Sequence, residues 1–277
     1  MISDQQRMLF QETVWNYYRE HARHDLPWRL PDADGNFDAY KIMVSELMLQ
    51  QTQVARVVPK FKAFLREFPD VATLAKAPLA AVLIAWNGLG YNRRAKFLWQ
   101  AAQAIVTEHE GRIPATITEL KSLPGIGANT AGAIMAYAYN LPIVFIETNI
   151  RTVFIHHFFA DENEPVSDAE LEKLVADTLD REHPREWYWA LMDYGVHLKQ
   201  SVGNVSRRSK SYAKQSTFQG SLRQIRGAVI RELTGGPRTK SQLALLITDP
   251  RLDAVLADLA SEKLIENQRA RYHLANT

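Results

Sequence analysis

Residues 121–151 have the sequence KSLPGIGANTAGAIMAYAYNLPIVFIETNIR, and the predicted architecture extends outward from them. Gly125 and Gly127, spaced by one residue, precede a segment of small and apolar side chains. Thr116 and Glu119, upstream, have the spacing of a capping box, which favours a helix before the glycines. The sequence therefore predicts a helix, a tight hairpin and a second, buried helix.

The two hairpin glycines favour a phosphate ligand. Neither has a Cβ atom, so the backbone at Gly125 and Gly127 can approach a ligand closely. The following helix presents free N–H groups at its N-terminus, where an anion is stabilised. An isolated Pro-Gly-x-Gly sequence is more often an ordinary turn, but the flanking helices favour the phosphate site.

The length and composition limit the kinds of protein that this chain can be. With 277 residues and 46% hydrophobic residues, the chain can form one large or two modest domains. It has no cysteine, which excludes disulfides, thiolate zinc sites, cysteine nucleophiles and cysteine-ligated iron–sulfur clusters. No apolar run reaches the roughly 18 to 20 residues that span a bilayer, so we expect a cytoplasmic protein without a membrane partner.

Charge is distributed unevenly along the chain. Residues 199–277 hold 14 lysines and arginines against 6 acidic residues, whereas residues 1–198 hold 19 against 25. Seven of the basic residues lie in residues 199–226, which contain no acidic residue. Such a run is either a solvated linker or a surface for a polyanion, and the interleaved polar and aromatic residues favour the polyanion.

Two carboxylates stand in apolar surroundings. Glu46 lies within a predicted buried helix, where desolvation would raise its pKa and suit it to donate a proton; the alternative is a core glutamate with a satisfied hydrogen-bonding partner. Glu147 follows the hairpin by twenty positions. Gln50 and Gln51 come directly after the first carboxylate and carry amides that can contact base edges or fill a gap in a base stack.

The remaining pattern predicts a mainly α-helical protein, and the spacing of Ser167 and Glu170 predicts a capping box at the start of one further helix. A first helix is expected over residues 4–24, and Leu89 and Tyr91 stand on a GLGY turn, where they either enter a base stack or pack inward. Residues 222–277 predict three short helices followed by a β-hairpin, the order of a winged helix, with a protein-interaction role as the alternative. We predict three parts: residues 1–200, a basic linker over 201–221, and the winged-helix-like segment over 222–277.

Taken together, these elements resemble the helix-hairpin-helix DNA glycosylases of the endonuclease III-like superfamily, most closely the MutY branch of adenine glycosylases. The resemblance covers roughly residues 10–200. Its motifs are LPWR at 26–29, SELMLQQTQV at 45–54, GLGY at 88–91, LPGIGANTAGAI at 123–134 and MDYG at 192–195. The resemblance implies a two-lobed helical fold, double-stranded DNA as the partner, and a target base that is flipped out of the duplex.

The resemblance also implies roles for individual residues. Glu46 corresponds to the acid that protonates the departing purine, and Glu147 to the carboxylate that stabilises the oxocarbenium-like state. Asn129 replaces the lysine nucleophile of bifunctional relatives, which implies a monofunctional enzyme. The expected base or lesion contacts are Arg29, Gln50, Gln51, Leu89, Tyr91 and Asn129, and the expected contacts to DNA phosphate are Gly125, Gly127, Arg207, Arg208, Lys210 and Lys214.

Three departures from the family pattern shape the expectations. Glu147 stands where the family has aspartate, which implies either a shifted backbone or a different substrate. Without cysteines, no iron–sulfur cluster or other metal site is expected, although the resemblance suggests a monovalent cation at the hairpin; the basic run would replace the cluster loop in contacting DNA. The usual C-terminal domain that recognises 8-oxoguanine is replaced by residues 222–277.

The sequence leaves three functions open. Excision of adenine opposite 8-oxoguanine or guanine is favoured because SELMLQQTQV follows the adenine branch. A uracil or thymine mismatch glycosylase is the enzymatic alternative, and a non-catalytic protein that binds damaged or bent DNA is the alternative from another class. We expect a monomer associated with the bacterial nucleoid, and the sequence identifies no protein partner.

Overall fold

The computed structural model describes residues 2–160 and 164–276, and they are predominantly helical. Fourteen α-helices and three short strands occur in these ranges. The helices are α1 (Asp4–His21), α2 (Ala39–Leu49), α3 (Val54–Glu67), α4 (Val71–Lys76), α5 (Leu79–Trp86), α6 (Arg93–Glu108), α7 (Ile117–Ser122), α8 (Ala128–Tyr137), α9 (Thr148–Phe158), α10 (Asp168–Thr178), α11 (Pro184–Ser201), α12 (Leu222–Thr234), α13 (Lys240–Leu246) and α14 (Leu252–Ser261). The strands are β1 (Arg238–Thr239), β2 (Ile265–Gln268) and β3 (Arg271–Leu274).

The chain divides into two compact units. The first comprises the described residues of Met1–Ile42, Ala115–Lys121 and Ile126–Lys214, and the second those of Met43–Pro114, Ser122–Gly125 and Gln215–Thr277. The chain crosses between the units several times. The division into residues 1–200, 201–221 and 222–277 stays a prediction about domains.

In the first unit, α11 packs against α9, α1 and α8. The core there is strongly aromatic: Trp187 and Tyr188 of α11 have no exposed surface, and the Phe10 ring of α1 lies 6.0 Å from that of Trp187. Helix α10 begins with the predicted capping box. The Ser167 side chain accepts from the Glu170 backbone N–H, and the Glu170 carboxylate accepts from the Ser167 backbone N–H.

In the second unit, α6 packs against α4 and α5, and α12 packs against α5 and α14. The backbone N–H of Leu79, at the start of α5, donates to the carbonyl of Asn276 at 3.3 Å. Residues 215–277 therefore share a compact unit with residues 43–114.

Residues 222–276 contain the predicted three helices and β-hairpin. The sheet has the strand order β1-β3-β2, and Ile265 pairs with Leu274 in the antiparallel hairpin. The turn residues Arg269 and Ala270 have φ values of 51° and 62°, as a two-residue type I′ turn requires. The two-residue strand β1 was not predicted, because such a short run has no periodicity.

The predicted first helix over residues 4–24 is three residues too long, since α1 ends at His21. The N–H of Ala22 still bonds to the carbonyl of Tyr18, but the N–H of Arg23 donates instead to the carboxylate of Asp193 at 3.0 Å. A contact with a residue 170 positions away therefore ends the helix.

Within the described ranges, no helix is both long and apolar enough to cross a bilayer. In the same residues, no three or more histidine, aspartate or glutamate side chains are grouped so that they could bind a metal ion.

Candidate active site

Of the two hairpin glycines, Gly125 has the positive φ that favours glycine and Gly127 does not. Gly125 has φ +78°, and a Cβ atom there would lie 2.6 Å from the Cβ of Phe97, so both its backbone angle and its packing require glycine. Gly127 has φ −88° and caps α8 at its N-terminus. Nothing lies within 4 Å of a Cβ built at Gly127, so its exposed backbone has room for a ligand; phosphate binding at both positions stays a prediction.

The Glu147 carboxylate caps the N-terminus of α9. Its Oε1 accepts from the backbone N–H groups of Asn149 at 2.6 Å and Ile150 at 3.0 Å. The helix dipole adds to this stabilisation of negative charge. Glutamate is not a common capping residue, yet its extra methylene allows the side chain to fold back onto its own helix.

Asn149 and Lys199 surround this carboxylate. The Asn149 amide donates to Glu147 Oε2 at 3.4 Å, and Lys199 Nζ donates to Asn149 Oδ1 at 2.6 Å. Desolvation is the largest influence on the pKa of half-buried Glu147 and raises it; the charge of Lys199 and the hydrogen bonds oppose this without cancelling it. Burial lowers the pKa of Lys199, and Glu147 opposes that change.

Gly195 of the MDYG motif brings α11 close to α9 at this point. A Cβ atom at position 195 would lie 2.4 Å from the carbonyl oxygen of Asn149. No side chain larger than hydrogen fits there without separating the helices. Gly195 therefore fixes the position of the backbone on which the Glu147 cap depends.

Asp193 of the same motif joins MDYG to LPWR. Arg29 Nη1 and Nη2 donate to the two oxygens of Asp193 at 2.7 and 2.9 Å, and Arg23 Nε donates at 2.8 Å. Burial by itself would raise the pKa of Asp193, but the hydrogen bonds and charges of the two arginines hold it below its ordinary value. Arg29 is only 7% exposed, so the structure gives it a structural role; its contact with a base stays a prediction.

Asn129, at the start of α8, lies at the surface. Its Oδ1 accepts from the backbone N–H of Ile146 at 3.4 Å, next to Glu147 in the sequence. The position for which the resemblance implies a lysine in bifunctional relatives thus carries an amide that is hydrogen-bonded to the residue preceding Glu147.

Glu46 lies on α2. It is half-buried, and its neighbours Val44, Ser45 and Leu47 are buried. This placement agrees with the expectation of a carboxyl group in apolar surroundings. Its role as a proton donor stays a prediction.

Arg94 holds the end of α2 in place. Its guanidinium donates to the carbonyls of Leu47 at 2.6 Å and Met48 at 3.1 Å, and also to that of Gln50. A cation there satisfies carbonyls that have no partner within the helix and favours the negative end of its dipole. Desolvation lowers the pKa of this 7% exposed arginine to about 10.

Gln51, Leu89 and Tyr91, which the sequence predicts to enter the base stack and which are called the wedge residues below, differ in exposure. Gln51 is exposed and has φ 55°, and Tyr91 is half-buried and has φ 48°, so both occupy the left-handed region. Gln50 is half-buried next to them. Leu89 is 3% exposed, so its predicted entry into a base stack would require the side chain to leave the core.

Residues Gln215 and Arg223 contact the wedge residues. Gln215 Nε2 donates to Gln51 Oε1 at 2.9 Å and also to the Tyr91 hydroxyl. Arg223 donates to the same hydroxyl, and its guanidinium carbon lies 5.4 Å from the centroid of the Tyr91 ring. The C-terminal part of the basic run therefore reaches residues for which the resemblance predicts DNA contacts.

Part of the basic run is anchored to the first unit. The backbone N–H of Val166 donates to the carbonyl of Arg208 at 2.9 Å, and the N–H of Lys210 donates to the carbonyl of Val166 at 2.8 Å. Arg207, Lys210 and Lys214 are exposed and Arg208 is half-buried. The exposed side chains are available to a polyanion, and contact with DNA phosphate stays a prediction for all four.

Comparison with known proteins places this geometry in a family. The model of the HhH-GPD superfamily of base excision DNA repair proteins matches residues 44–177. The adenine DNA glycosylase of Mycolicibacterium smegmatis is 34% identical over 273 residues, which cover 89% of each chain. That of Buchnera aphidicola subsp. Baizongia pistaciae is 31% identical over 245 residues, covering 86% of this chain and 67% of the relative.

The chain belongs to the HhH-GPD superfamily, in the branch of the adenine DNA glycosylases. The resemblance inferred from the motifs is thereby confirmed. Among solved structures, a thermostable thymine-DNA glycosylase matches with a TM-score of 0.60 at 22% identity, covering 69% of this chain and 87% of the other. A trapped endonuclease III–DNA covalent intermediate matches with a TM-score of 0.54 at 16% identity, covering 73% and 88%. These structures support the helix-hairpin-helix glycosylase fold.

The superfamily resemblance implies an iron–sulfur cluster, and the residues of this chain do not fit one. A cysteine-ligated cluster needs thiolates, and the sequence contains none. Instead, residues 205–208 form a short 3-10 helix that packs against α9.

Sequence reasoning missed several residues that organise the site. Lys199 was counted only as the start of the basic run, and Asn149 was given no role. The local sequence around Arg94 gives no sign that its guanidinium binds the carbonyls at the end of α2. The motif MDYG was the available signal for Asp193 and Gly195, because a glycine inside a helix costs stability and can mark a close approach between helices.

Proposed function

We propose that this member of the HhH-GPD superfamily is a monofunctional DNA N-glycosylase that releases adenine opposite 8-oxoguanine or guanine. The adenine DNA glycosylase names of its relatives support the substrate. The capped carboxylate of Glu147 is the single observation that carries the mechanism, because it places a fixed acidic group at a helix N-terminus.

In the proposed reaction, the adenine nucleotide is flipped out of the duplex and its C1′–N9 bond is hydrolysed. The bonding electrons leave with the purine, which Glu46 protonates. Positive charge develops on the deoxyribose, and the carboxylate of Glu147 stabilises it. Water then adds to C1′ and loses a proton, which leaves an abasic site.

Asn129 supports the monofunctional assignment. Its amide cannot form a Schiff base with C1′, so cleavage of the DNA strand by elimination is not expected from this position. Ionised Glu147 is needed for the proposed stabilisation. The amide hydrogen bonds and Lys199 favour this ionised form against the desolvation of the carboxyl group.

Several further assignments belong to the same proposal. The partner is double-stranded DNA, contacted by the hairpin glycines and the basic run, and Gln51, Leu89 and Tyr91 enter the duplex near the lesion. The enzyme acts as a monomer in the bacterial cytoplasm, and a monovalent cation at the hairpin is retained as a prediction.

The test is base release from labelled duplexes that contain A:8-oxoG, A:G, U:G, T:G or hypoxanthine:T, followed by hot alkali to reveal abasic sites. We expect release from the first two duplexes by the wild type and its loss in Glu147→Gln. Release of uracil or thymine instead would support the mismatch alternative. Tight binding without base release from any of the duplexes would favour the non-catalytic alternative.

A further inference from the structure

A cavity of about 520 Å³ lies within the second unit. Its lining includes Gln51, Tyr91 and Phe97, together with Arg223 and Gly227 of α12. The volume falls in the range of about 300–1,000 Å³ that small-molecule sites occupy. The cavity is therefore large enough for a nucleobase.

The side chains around the cavity match the chemistry of a base. Tyr91 and Phe97 offer aromatic rings on which a base can stack, and Gln51 offers an amide. Arg93 lies over the Phe97 ring, with its guanidinium carbon 5.5 Å from the ring centroid. Aromatic rings beside guanidinium groups favour a flat, electron-rich ligand over an aliphatic one.

Arg223 differs from the other arginines of the cavity in its partners. Arg226 pairs with Glu262, and Arg94 is surrounded by backbone carbonyls. Arg223 contacts the Tyr91 hydroxyl and the backbone and side-chain oxygens of Ser216, and no carboxylate partner is found for it in the described ranges. Of the two α12 arginines that line the cavity, Arg223 is thus the one without a carboxylate partner among the described residues.

Gly227 keeps the cavity open. A Cβ atom built at this position meets nothing within 4 Å, although the residue lies in the middle of α12. Glycine costs stability inside a helix, and no neighbouring atom requires it here. Its effect is to leave empty the space one turn after Arg223, on the same face of the helix.

We infer that Arg223 is a specificity residue that recognises guanine opposite the excised base, with that guanine seated in this cavity. Two guanidinium N–H groups donate to guanine O6 and N7, a pair of acceptors that cytosine and thymine lack and that adenine presents only in part. Gln215 holds Gln51 and the Tyr91 hydroxyl at the same place. This inference rests on the proposed function, since it needs the wedge residues to enter the duplex beside the target.

The test uses the full chain and duplexes with a stable abasic-site analogue opposite guanine, adenine, cytosine or thymine. For the wild type, we expect the guanine duplex to bind between about 5-fold and about 150-fold more tightly than the cytosine duplex. Arg223→Ala should reduce this ratio to about 1. Arg231→Ala is the matched control, because Arg231 is an exposed arginine of the same helix outside the cavity.

Two further variants separate recognition from folding and from charge. Arg223→Lys keeps the positive charge but lacks the two-pronged donor, so it should retain the overall affinity and lose most of the ratio. Gly227→Leu fills the cavity and should also abolish the ratio. A wild-type ratio in Arg223→Lys, or no preference for guanine in the wild type, would overturn the inference.

Base release from A:G duplexes by the wild type is measured in parallel. If adenine is released but the Arg223 variants discriminate as the wild type does, the proposed function stands and the inference fails. If no adenine is released, the proposed function fails, and the affinity ratios still decide whether Arg223 recognises guanine.

Discussion

Replacing Asp193 by asparagine should destabilise the first unit strongly. The carboxylate is 3% exposed and accepts from both terminal nitrogens of Arg29, which is 7% exposed, and from Arg23. Asparagine keeps one acceptor oxygen but turns an amide NH₂ group toward the two guanidiniums. Because it leaves buried positive charge without its counter-ion, the substitution should cost about 3–5 kcal/mol.

The matched control is Asp253→Asn. The Lys240–Asp253 pair has the same N···O distance as the Arg29–Asp193 pair, 2.7 Å, but its side chains are 57% and 65% exposed, against 5% and 2%. Solvent screens exposed pairs, so this control should unfold with the wild type. The N···O distance is the same in the two pairs, so the comparison tests the burial of Asp193 together with the larger number of hydrogen bonds that its carboxylate accepts.

Thermal unfolding followed by circular dichroism measures both variants. For a chain of this size, about 2–4 °C of midpoint per kcal/mol predicts a fall of roughly 6–20 °C for Asp193→Asn. The pKa of Asp193 is lowered in the folded state, so its stabilisation is present above the unfolded value of about 3.9 and is lost as the pH falls through the folded value. Equal midpoints for Asp193→Asn and Asp253→Asn at neutral pH would refute the reasoning.

Three further variants test the site. Lys199→Met should raise the pKa of Glu147 further, because it removes the charge that opposes desolvation, and should move the acidic limb of the base-release profile to higher pH. Gly195→Ala should lower single-turnover base release by about 100-fold, because its Cβ would displace the Asn149 carbonyl and shift the Glu147 cap by an ångström or so. Reversing four charges of the basic run to glutamate should weaken duplex binding and reduce the slope of log affinity against log salt by up to about 4. The four residues are Arg207, Arg208, Lys210 and Lys214.

Each of the three predictions would be contradicted by a specific result. Lys173→Met, at an exposed position on α10, is the control for Lys199→Met, and identical pH profiles for the two would exclude an influence of Lys199 on Glu147. Wild-type release by Gly195→Ala would show that the helices can separate without moving the cap. An unchanged duplex affinity after the fourfold charge reversal would exclude the basic run as a DNA contact.

The elements that the sequence predicted well are those with local causes. The capping box at Ser167 and Glu170 depends on residues three positions apart, and it is present in the structure. The apolar pattern around Glu46 likewise fixed a helix and its half-buried carboxyl group. Local hydrogen bonds and helical periodicity are readable from sequence because they need no knowledge of distant contacts.

The parts that could not be predicted depend on contacts between distant residues. Lys199 reaches Asn149 across 50 positions, and Arg94 reaches the end of α2 across more than 40. Nothing in the local pattern distinguishes these cations from solvated ones. The Glu147 cap was equally hidden, since glutamate ranks below aspartate and serine as a capping residue and gives no signal at this position.

The distribution of each unit along the chain has a consequence for synthesis. The residues of the first unit have all been synthesised once Lys214 has been added, so that unit can complete its packing before the second unit does. Residues 43–114 complete their packing only after residues 215–277 have been made, because α12 and β3 of that later segment pack against α5. Until then α5 packs only against the earlier helices α3 and α6, and the part of its surface that α12 and β3 contact is uncovered. A nascent chain stalled before residue 222 would therefore be a candidate for chaperone binding. A stop codon at that point would therefore give a partly folded chain rather than a shortened enzyme.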